Sequence, residues 1–528
     1  MANENRKLAS ASQNIWYVLA TIAGEPGRDP EDTIRQKNTH YWNGYIATML
    51  DNSTIEKVKA LKGDSFELPV LSKQELKLIQ NKLKAKGFIE DDLLSARSID
   101  LQNTKFPLIN FSGYVFPLSV DFQGSEFSKQ ALFNGTVFLE TAKFTGSTFL
   151  SPARFNWSQF HSSARFSQCK FSGSVKFKAV KFLGSTRFSE ALFAKGAWFS
   201  DSSFGGFSKF GGSKFTGNAK FENCEYSGTV GFKGAVFSSS AWFSNSEYKR
   251  YVSFSKSKFQ SDARFKSCVY KEGAAFLSCI FSGPAKFSGG KFLGPAIFAG
   301  AEFSGLPTFQ NSEFKQRLDF GYLKVRNGFR KTVFKSHPPE FFNTKISENI
   351  SWSDTVFPSV QDLSRRNADS HKDAYERLGL MMDRLKKHHD KHRFYRLEMR
   401  ARRQMEKKWS LPRFINWSYE ALSDYGYGVG RTASLWGGNI LVGGALLFFQ
   451  RVESGELNTN FWNALTTSFS NAHGFLGLSR GPLKIAVTDY QDADMFIPFN
   501  VIATAQTIVG AIFLFFLLLT LRNKFKMG

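Results

Sequence analysis

Residues 144–155 read FTGSTFLSPARF, and the spacing inside them decides the fold. Phe144, Phe149 and Phe155 stand five and then six residues apart, and the alternation runs without a miss from Phe111 to Phe320. Of the 39 positions on this beat 36 are Phe, and the exceptions, Tyr226, Tyr248 and Tyr270, are spaced by 22. The period is eleven, and a coil of two repeats would stack those tyrosines on one wall. The position two before each aromatic is nearly always small, as at Ala131, Ala142, Ala153, Ala164, Val175 and, in the alternate series, Ser125, Thr136, Ser147 and Cys169. A large and a small residue therefore point inward together. A helical repeat needs about 20 to 45 residues per unit, so this period excludes one, whereas short strands turning at Gly and Ser close a narrow β-solenoid. The 209 intervals give 209/22, about 9.5 coils, and at ~4.8 Å per coil a stack roughly 45 Å long. Each buried Phe contributes about 2 kcal/mol gross, most of it offset by chain entropy.

The pattern resembles the bacterial pentapeptide-repeat family in its Phe-rich form, over about 40% of the chain. The beat and the resemblance together predict a right-handed, quadrilateral β-solenoid. All four cysteines, Cys169, Cys224, Cys268 and Cys279, sit two residues before an on-beat aromatic, the slot where Cys acts as a compact apolar filler. The residue just before the aromatic should point outward, and there Lys143, Arg154, Arg165, Lys176, Arg187, Lys209, Lys220, Arg264 and Lys286 form ladders. Residues 101 to 334 hold 30 basic and 13 acidic side chains, within a chain of net charge +24. Relatives that mimic DNA and engage gyrase are acidic, so the resemblance does not extend to gyrase-type mimicry. A basic wall suits nucleic acid or lipid headgroups, and a solvated face is the plain alternative. Trp198 and Trp242, 44 apart and so on one wall two coils away from each other, are the candidates for contact with a cytoplasmic protein or ligand.

Residues 1–100 read as a helical N-terminal domain. SKQE at 72–75 is a capping box opening a helix from Lys73, with Leu76, Ile79 and Leu83 on one face and Gly87 as its stop. This domain should cover the first coil, which otherwise exposes a β edge. The segment YWNGY at 41–45 resembles one in similar bacterial proteins and carries no evident mechanism. No small-residue cleavage site follows the short apolar run Ile15 to Ala23, so no signal peptide is expected. After Phe334 the beat fails, with Ile346 to Trp352 as a last capping strand. Residues 362–408 read as one or two basic helices, with Leu378, Met381, Met382 and Leu385 on an apolar stripe. Between 361 and 413 there are 16 basic and 8 acidic residues, a composition suited to anionic lipid or to packing beside a copy. His388, His389 and His392 lie close together there, but Lys387, Lys391 and Arg393 disfavour both protonation and metal.

Ala433 to Phe449 and Phe496 to Leu521 are long and apolar enough to cross a membrane. Basic residues flank their outer ends, Arg413 and Arg431 before the first, Arg522, Lys524 and Lys526 after the second. Acids (Glu453, Glu456, Asp489, Asp492, Asp494) dominate between them, so both termini should be cytoplasmic, in a bacterial plasma membrane. A span, a short helical piece from Phe461 to Phe469, a Gly-containing turn and a second span resemble the two-transmembrane pore-loop channel domain. LSDYGYGVGR at 422–431 resembles the entry segment of such pores in similar fusions. Potassium channels carry a TVGYG-type filter after the pore helix, and this chain has His473, Gly474, Phe475, Leu476 and Gly477 instead, so a constriction is implied but potassium selectivity is not. In the second span Asn500, Thr504, Thr507 and Ala511 recur on one face, a stripe that lines water or packs on a neighbour. Gly437, Gly438, Gly443 and Gly444 in the first span allow close helix approach.

The domains expected are therefore 1–100 (cap), 101–334 (solenoid), 335–430 (capping segment and basic linker) and 431–528 (pore-loop domain). The function expected is a homotetrameric channel for monovalent cations, with the solenoid as cytoplasmic sensor or scaffold. The alternative is a membrane-anchored scaffold that conducts nothing. Nothing in the sequence forms a catalytic, cofactor-binding or metal-binding motif.

Overall fold

In the computed structural model of the chain, residues 8–26, 33–62, 67–326, 328–347, 349–360, 363–453, 461–474, 487 and 497–525 are described. The chain divides into two units, Met1–Ser359 and Val360–Gly528.

The first unit contains a parallel β-solenoid of about ten turns. Strands of two residues follow one another through four ladders: Thr148–Phe149, Ala153–Arg154, Gln159–Phe160 and Ala164–Arg165 each belong to a different one. The register is 22 residues, Phe149 opposite Phe171 and Ala153 opposite Val175. It stacks like on like, and the rings of Phe188, Phe210 and Phe232 lie nearly parallel at successive centroid distances of 5.1 and 4.7 Å. Tyr226, Tyr248 and Tyr270 stack in the same way at 4.8 and 5.0 Å. The alternation of five and six comes from two kinds of corner. The corner after the Phe111 series passes through a left-handed residue every eleven positions, among them Gly146 (φ 69°), Ala179 (φ 56°) and Asn223 (φ 56°); the corner after the Phe116 series does not.

The small inward slot is more than filler. Ser147 Oγ donates to the Phe122 carbonyl at 2.7 Å, and the thiols of Cys169 and Cys279 donate to the Phe144 and Phe254 carbonyls at 2.8 and 2.9 Å. Each such bond reaches the preceding coil and satisfies a buried carbonyl lone pair. Burial pushes the Cys224 and Cys268 thiols up to about 12, so they are inert at neutral pH.

YWNGY acquires a mechanism at the first coil. Trp42 Nε1 donates to the Val115 carbonyl at 2.8 Å, Asn43 Oδ1 accepts from the Val115 amide at 2.9 Å, and Asn43 Nδ2 reaches the Gly113 carbonyl at 3.2 Å. The indole lies 5.2 Å from Phe116, tilted by 55°, and covers the end of the aromatic column. One Trp-Asn pair on the helix Thr33–Ala47 thus replaces a missing coil. Gly44 is needed because a Cβ there would sit 2.7 Å from Leu71. The capping box at Ser72 and Glu75 is present and opens the helix Lys73–Ala85. At the other end an antiparallel hairpin, Leu323–Val325 with Gly328–Arg330, interrupts the last turn. Lys345–Ile346 and Ile350–Ser351 then rejoin the ladders, and Trp352 closes the stack on Phe320 at 4.8 Å.

The second unit is helical. Arg365–Arg384 and His388–Met405 pack together, with Leu378 and Met382 buried. The helix Leu411–Ser423 ends where Asp424, Tyr425 and Gly426 turn left-handed. Val429–Glu453, Phe461–Ala472 and Phe499–Phe525 then pack pairwise. Two of these, over Val429–Gln450 and Phe499–Phe525, are long and apolar enough to cross a membrane, at 22 and 27 residues.

Candidate functional site

Two constellations follow from this framework. On the solenoid, one ladder carries Arg154, Lys176, Trp198, Lys220, Trp242, Arg264 and Lys286 in direct register. Trp198 and Trp242 therefore share a wall, two coils apart. Lys176 Nζ stands 5.5 Å from the Trp198 ring, and Lys220 Nζ and the Arg264 guanidinium stand 4.3 and 5.1 Å from the Trp242 ring. The cations thus sit on the indoles, as ring quadrupoles favour. Lys143, Arg165, Arg187 and Lys209 form a second basic run on another ladder, which continues with the uncharged Gly231, Ser253 and Ala275. Asp262 is tied to Lys286 at 3.0 Å and to Arg264 at 2.5 Å. Burial works to raise its carboxyl, and the two cations hold it below its ordinary value.

In the second unit the short helix Phe461–Ala472 presents polar side chains to both long helices. Ser468 Oγ donates to the Ile440 carbonyl at 2.6 Å and accepts from Gln506 Nε2 at 2.7 Å. Gln506 Oε1 accepts from Asn471 Nδ2 at 3.3 Å, and Thr507 Oγ1 donates to the Asn471 carbonyl at 2.8 Å. Two glycines permit this closeness: a Cβ at Gly443 would collide with Gln506 and Ser468, and one at Gly510 with the Ala472 backbone. Gly444 lies against Leu465, but Gly437 and Gly438 have nothing within 4 Å of a Cβ position. The close approach expected of four glycines in the first span is therefore made by two, because the short helix crosses beside residues 440–444.

The stripe on the second long helix divides. Asn500 and Thr504 are exposed in the single chain, Ala511 is half-buried, and Thr507 is engaged by the end of the short helix. His473 is buried, its Nδ1–H donating to the Phe469 carbonyl at 2.7 Å, beside Trp436 at 5.3 Å. Gly474 abuts Thr507, whose Oγ1 would be 2.8 Å from a Cβ there. Phe475, Leu476 and Gly477 lie outside the described residues, as do Asp489, Asp492 and Asp494. Gln506, Ser468 and Asn471, which tie the three helices, were missed from sequence. The signal existed: Gln506 in the second apolar span, like Asn439 in the first, is an amide inside an apolar span, where a polar side chain needs a partner.

The histidines at the start of the helix His388–Met405 do not converge on a ligand. His388 and His389 are exposed and His392 is buried, against Tyr427. Burial first, then Arg396 and the neighbouring cations, depress the His392 imidazole to about 3.

The family model for pentapeptide repeats (9 copies) matches residues 155–203, 210–258 and 276–322. The chain carries pentapeptide repeats. All three stretches lie in the solenoid, so the match speaks to the coil, and no ion-channel family matches the remainder. No curated protein and no solved structure matches the chain.

Proposed function

We propose that the chain is an oligomeric membrane pore, a homotetramer conducting monovalent cations, with its pentapeptide-repeat coil as a sensor or scaffold on the cytoplasmic side of a bacterial plasma membrane. The observation that carries the reading is a conflict on the second apolar helix. Its packed face is satisfied by the short polar helix, yet Asn500 and Thr504 remain exposed on it in the single chain. Hydroxyl and amide groups exposed to hydrocarbon are costly; around a symmetry axis they would face water or a copy of themselves. His473 and Gly474, at the end of the short helix, would stand at the mouth of that path, with Phe475, Leu476 and Gly477 completing a constriction. The helix's negative C-terminal end favours cations there. Four ladders also support a four-walled coil, which on this reading is right-handed and whose Trp198 and Trp242 wall would take the cytoplasmic partner.

Ion flux from vesicles holding the purified full chain tests the reading. Thr504→Trp should block flux without altering assembly, while Phe515→Trp, on an exposed apolar face, should leave it intact. If assembled wild-type protein never conducts, even with residues 1–360 removed, the non-conducting anchored scaffold replaces the pore.

A further inference from the structure

The helix Leu411–Ser423, LPRFINWSYEALS, is amphipathic with its faces reversed. At 100° per residue Leu411, Phe414, Ile415, Ser418 and Leu422 share one face, and three of them are strongly exposed: Leu411 at 69%, Phe414 at 61% and Ile415 at 57%. The opposite face is polar and turned inward. Asn416 Nδ2 donates to the Met399 carbonyl at 3.1 Å and its Oδ1 accepts from Tyr425 at 2.9 Å. Glu420 is held by Arg400 and Arg403 at 2.7 and 2.6 Å. A helix in water does the opposite. Two residues before it, Trp409 is 99% exposed. Beside it a concavity of ≈ 710 Å³ is lined by Arg403, Lys408 and Arg413 together with Trp409, Phe414 and Trp417. Cations and indoles thus share one opening, and Lys407 and Lys408 form no ion pair among the described residues.

The helix also stands where the two apolar helices begin and end. Val429 follows six residues after Ser423, Tyr419 lies 5.9 Å from Phe516, and Asn523 Nδ2 donates to the Gly426 carbonyl at 2.9 Å. Arg522 and Lys524 close the second apolar helix at the same level. We infer that Leu411–Ser423 lies in the headgroup layer of an anionic bilayer, its apolar face among acyl chains and the Arg403–Lys408–Arg413 concavity holding a lipid phosphate. Charge complementarity and continuity with both span ends select this occupant. The inference rests on the membrane reading above.

The four native cysteines are at most 2% exposed, so a cysteine introduced at Ile415→Cys or Phe515→Cys accepts a spin label selectively. The full chain is placed in discs of phosphatidylcholine alone or mixed with phosphatidylglycerol, and the label's relaxation is read with oxygen, which enters lipid, and with a nickel chelate, which stays in water. Oxygen access at 415 that deepens with phosphatidylglycerol, and is not reproduced by inorganic phosphate, is the expected result. Lys408→Gln, in the concavity, should lower the phosphatidylglycerol retained by the solubilised protein by roughly fivefold. Nickel access at 415 with oxygen access at 515 overturns the inference alone. Access of neither reagent at 415 overturns it in favour of a second copy or a protein partner. Equal results in both lipids, or full reproduction by inorganic phosphate, overturn the anionic-lipid site. Nickel access at 515 as well defeats the membrane reading itself.

Discussion

The solenoid stacks its rings inside and turns its cations outward, while around the apolar helices of Val360–Gly528 amides and hydroxyls are enclosed and several large rings face outward. Phe188, Phe210 and Phe232 are fully enclosed, with Lys209 on the surface beside them. In the second unit Gln506, Asn471, Ser468 and Asn416 are enclosed, and Trp409, Phe414, Trp462 and Phe515 are exposed. The first pattern suits water outside, and the second is the one the proposed membrane setting requires, because a polar group is stable where its partner is and a ring where water is absent. The contrast also separates two ways of using a carbonyl: the coil satisfies it through the next coil, the helices through side chains that cross between them.

The sharpest way to break the comparison is to remove one ring from each region. Phe210 is 0% exposed between two stacked neighbours, so Phe210→Ala should cost about 3 to 5 kcal/mol through the cavity it leaves. Because coils contact only their neighbours, the loss should spread along the stack. Amide exchange around residues 188–232 should rise first. Phe515→Ala, at a ring 64% exposed, should leave the chain's thermal unfolding in detergent unchanged within about 0.5 kcal/mol. Equal costs would mean that the two regions do not bury in opposite senses.

The next largest effect belongs to the polar interior. Gln506 makes contacts to Ser468, Asn471 and the Asn439 carbonyl, and at roughly 0.6 kcal/mol each between apolar helices Gln506→Leu should cost about 2 kcal/mol in detergent-induced unfolding. An unchanged midpoint would show that packing at Gly443 and Gly510, and not the amide, holds these helices together.

Acid should separate the regions more gently. The His392 imidazole, depressed by burial and then by Arg396, stays neutral in the folded chain down to about pH 3, whereas the unfolded chain takes up the proton near pH 6.5. The unfolded state therefore binds more protons in between, and the stability present above about pH 6.5 declines as pH falls toward 3. Amide protection in Arg365–Arg384 and His388–Met405, taken against the intrinsic exchange rate at each pH, should fall between pH 6 and 4, and His392→Gln should blunt that dependence. His161 on the coil is also depressed, by burial and then by Lys57 and Lys181. A larger response at the coil than at the linker would reverse the assignment.

The coil was legible because one interaction repeats: a ring every five or six residues fixes both register and interior, and the three tyrosines give the 22-residue turn. The hairpin Leu323–Val325 with Gly328–Arg330 was not, since a single insertion leaves the rings on either side unchanged and merely lengthens one turn. Trp42 and Asn43 were noticed without a role, because capping an edge requires knowing which amides the edge exposes. The stripe at Asn500, Thr504, Thr507 and Ala511 was readable by period, but which of its members is engaged depends on where Phe461–Ala472 lands. The reversal of Leu411–Ser423 was hidden for the same reason: periodicity gives an apolar face and not the direction in which it points.

The smallest effect sharpens the coil's side of the comparison, where regularity is set by corners as well as rings. Ala179 occupies the left-handed corner (φ 56°) that Gly146 and Gly212 fill elsewhere. A Cβ there costs about 1 to 2 kcal/mol against the following carbonyl, and glycine gives back roughly 0.5 to 1 kcal/mol through its larger unfolded-state entropy. The balance favours glycine by about 0.5 kcal/mol, so Ala179→Gly should raise the coil's melting temperature by roughly 1 to 2 °C. The opposite substitution, Gly146→Ala, should lower it by a similar amount, since nothing lies within 4 Å of the added methyl and only the backbone term remains. If both changes destabilise, the corner at Ala179 is held by its half-buried methyl and not by dihedral preference, and the two corners are not equivalent turns of one repeat.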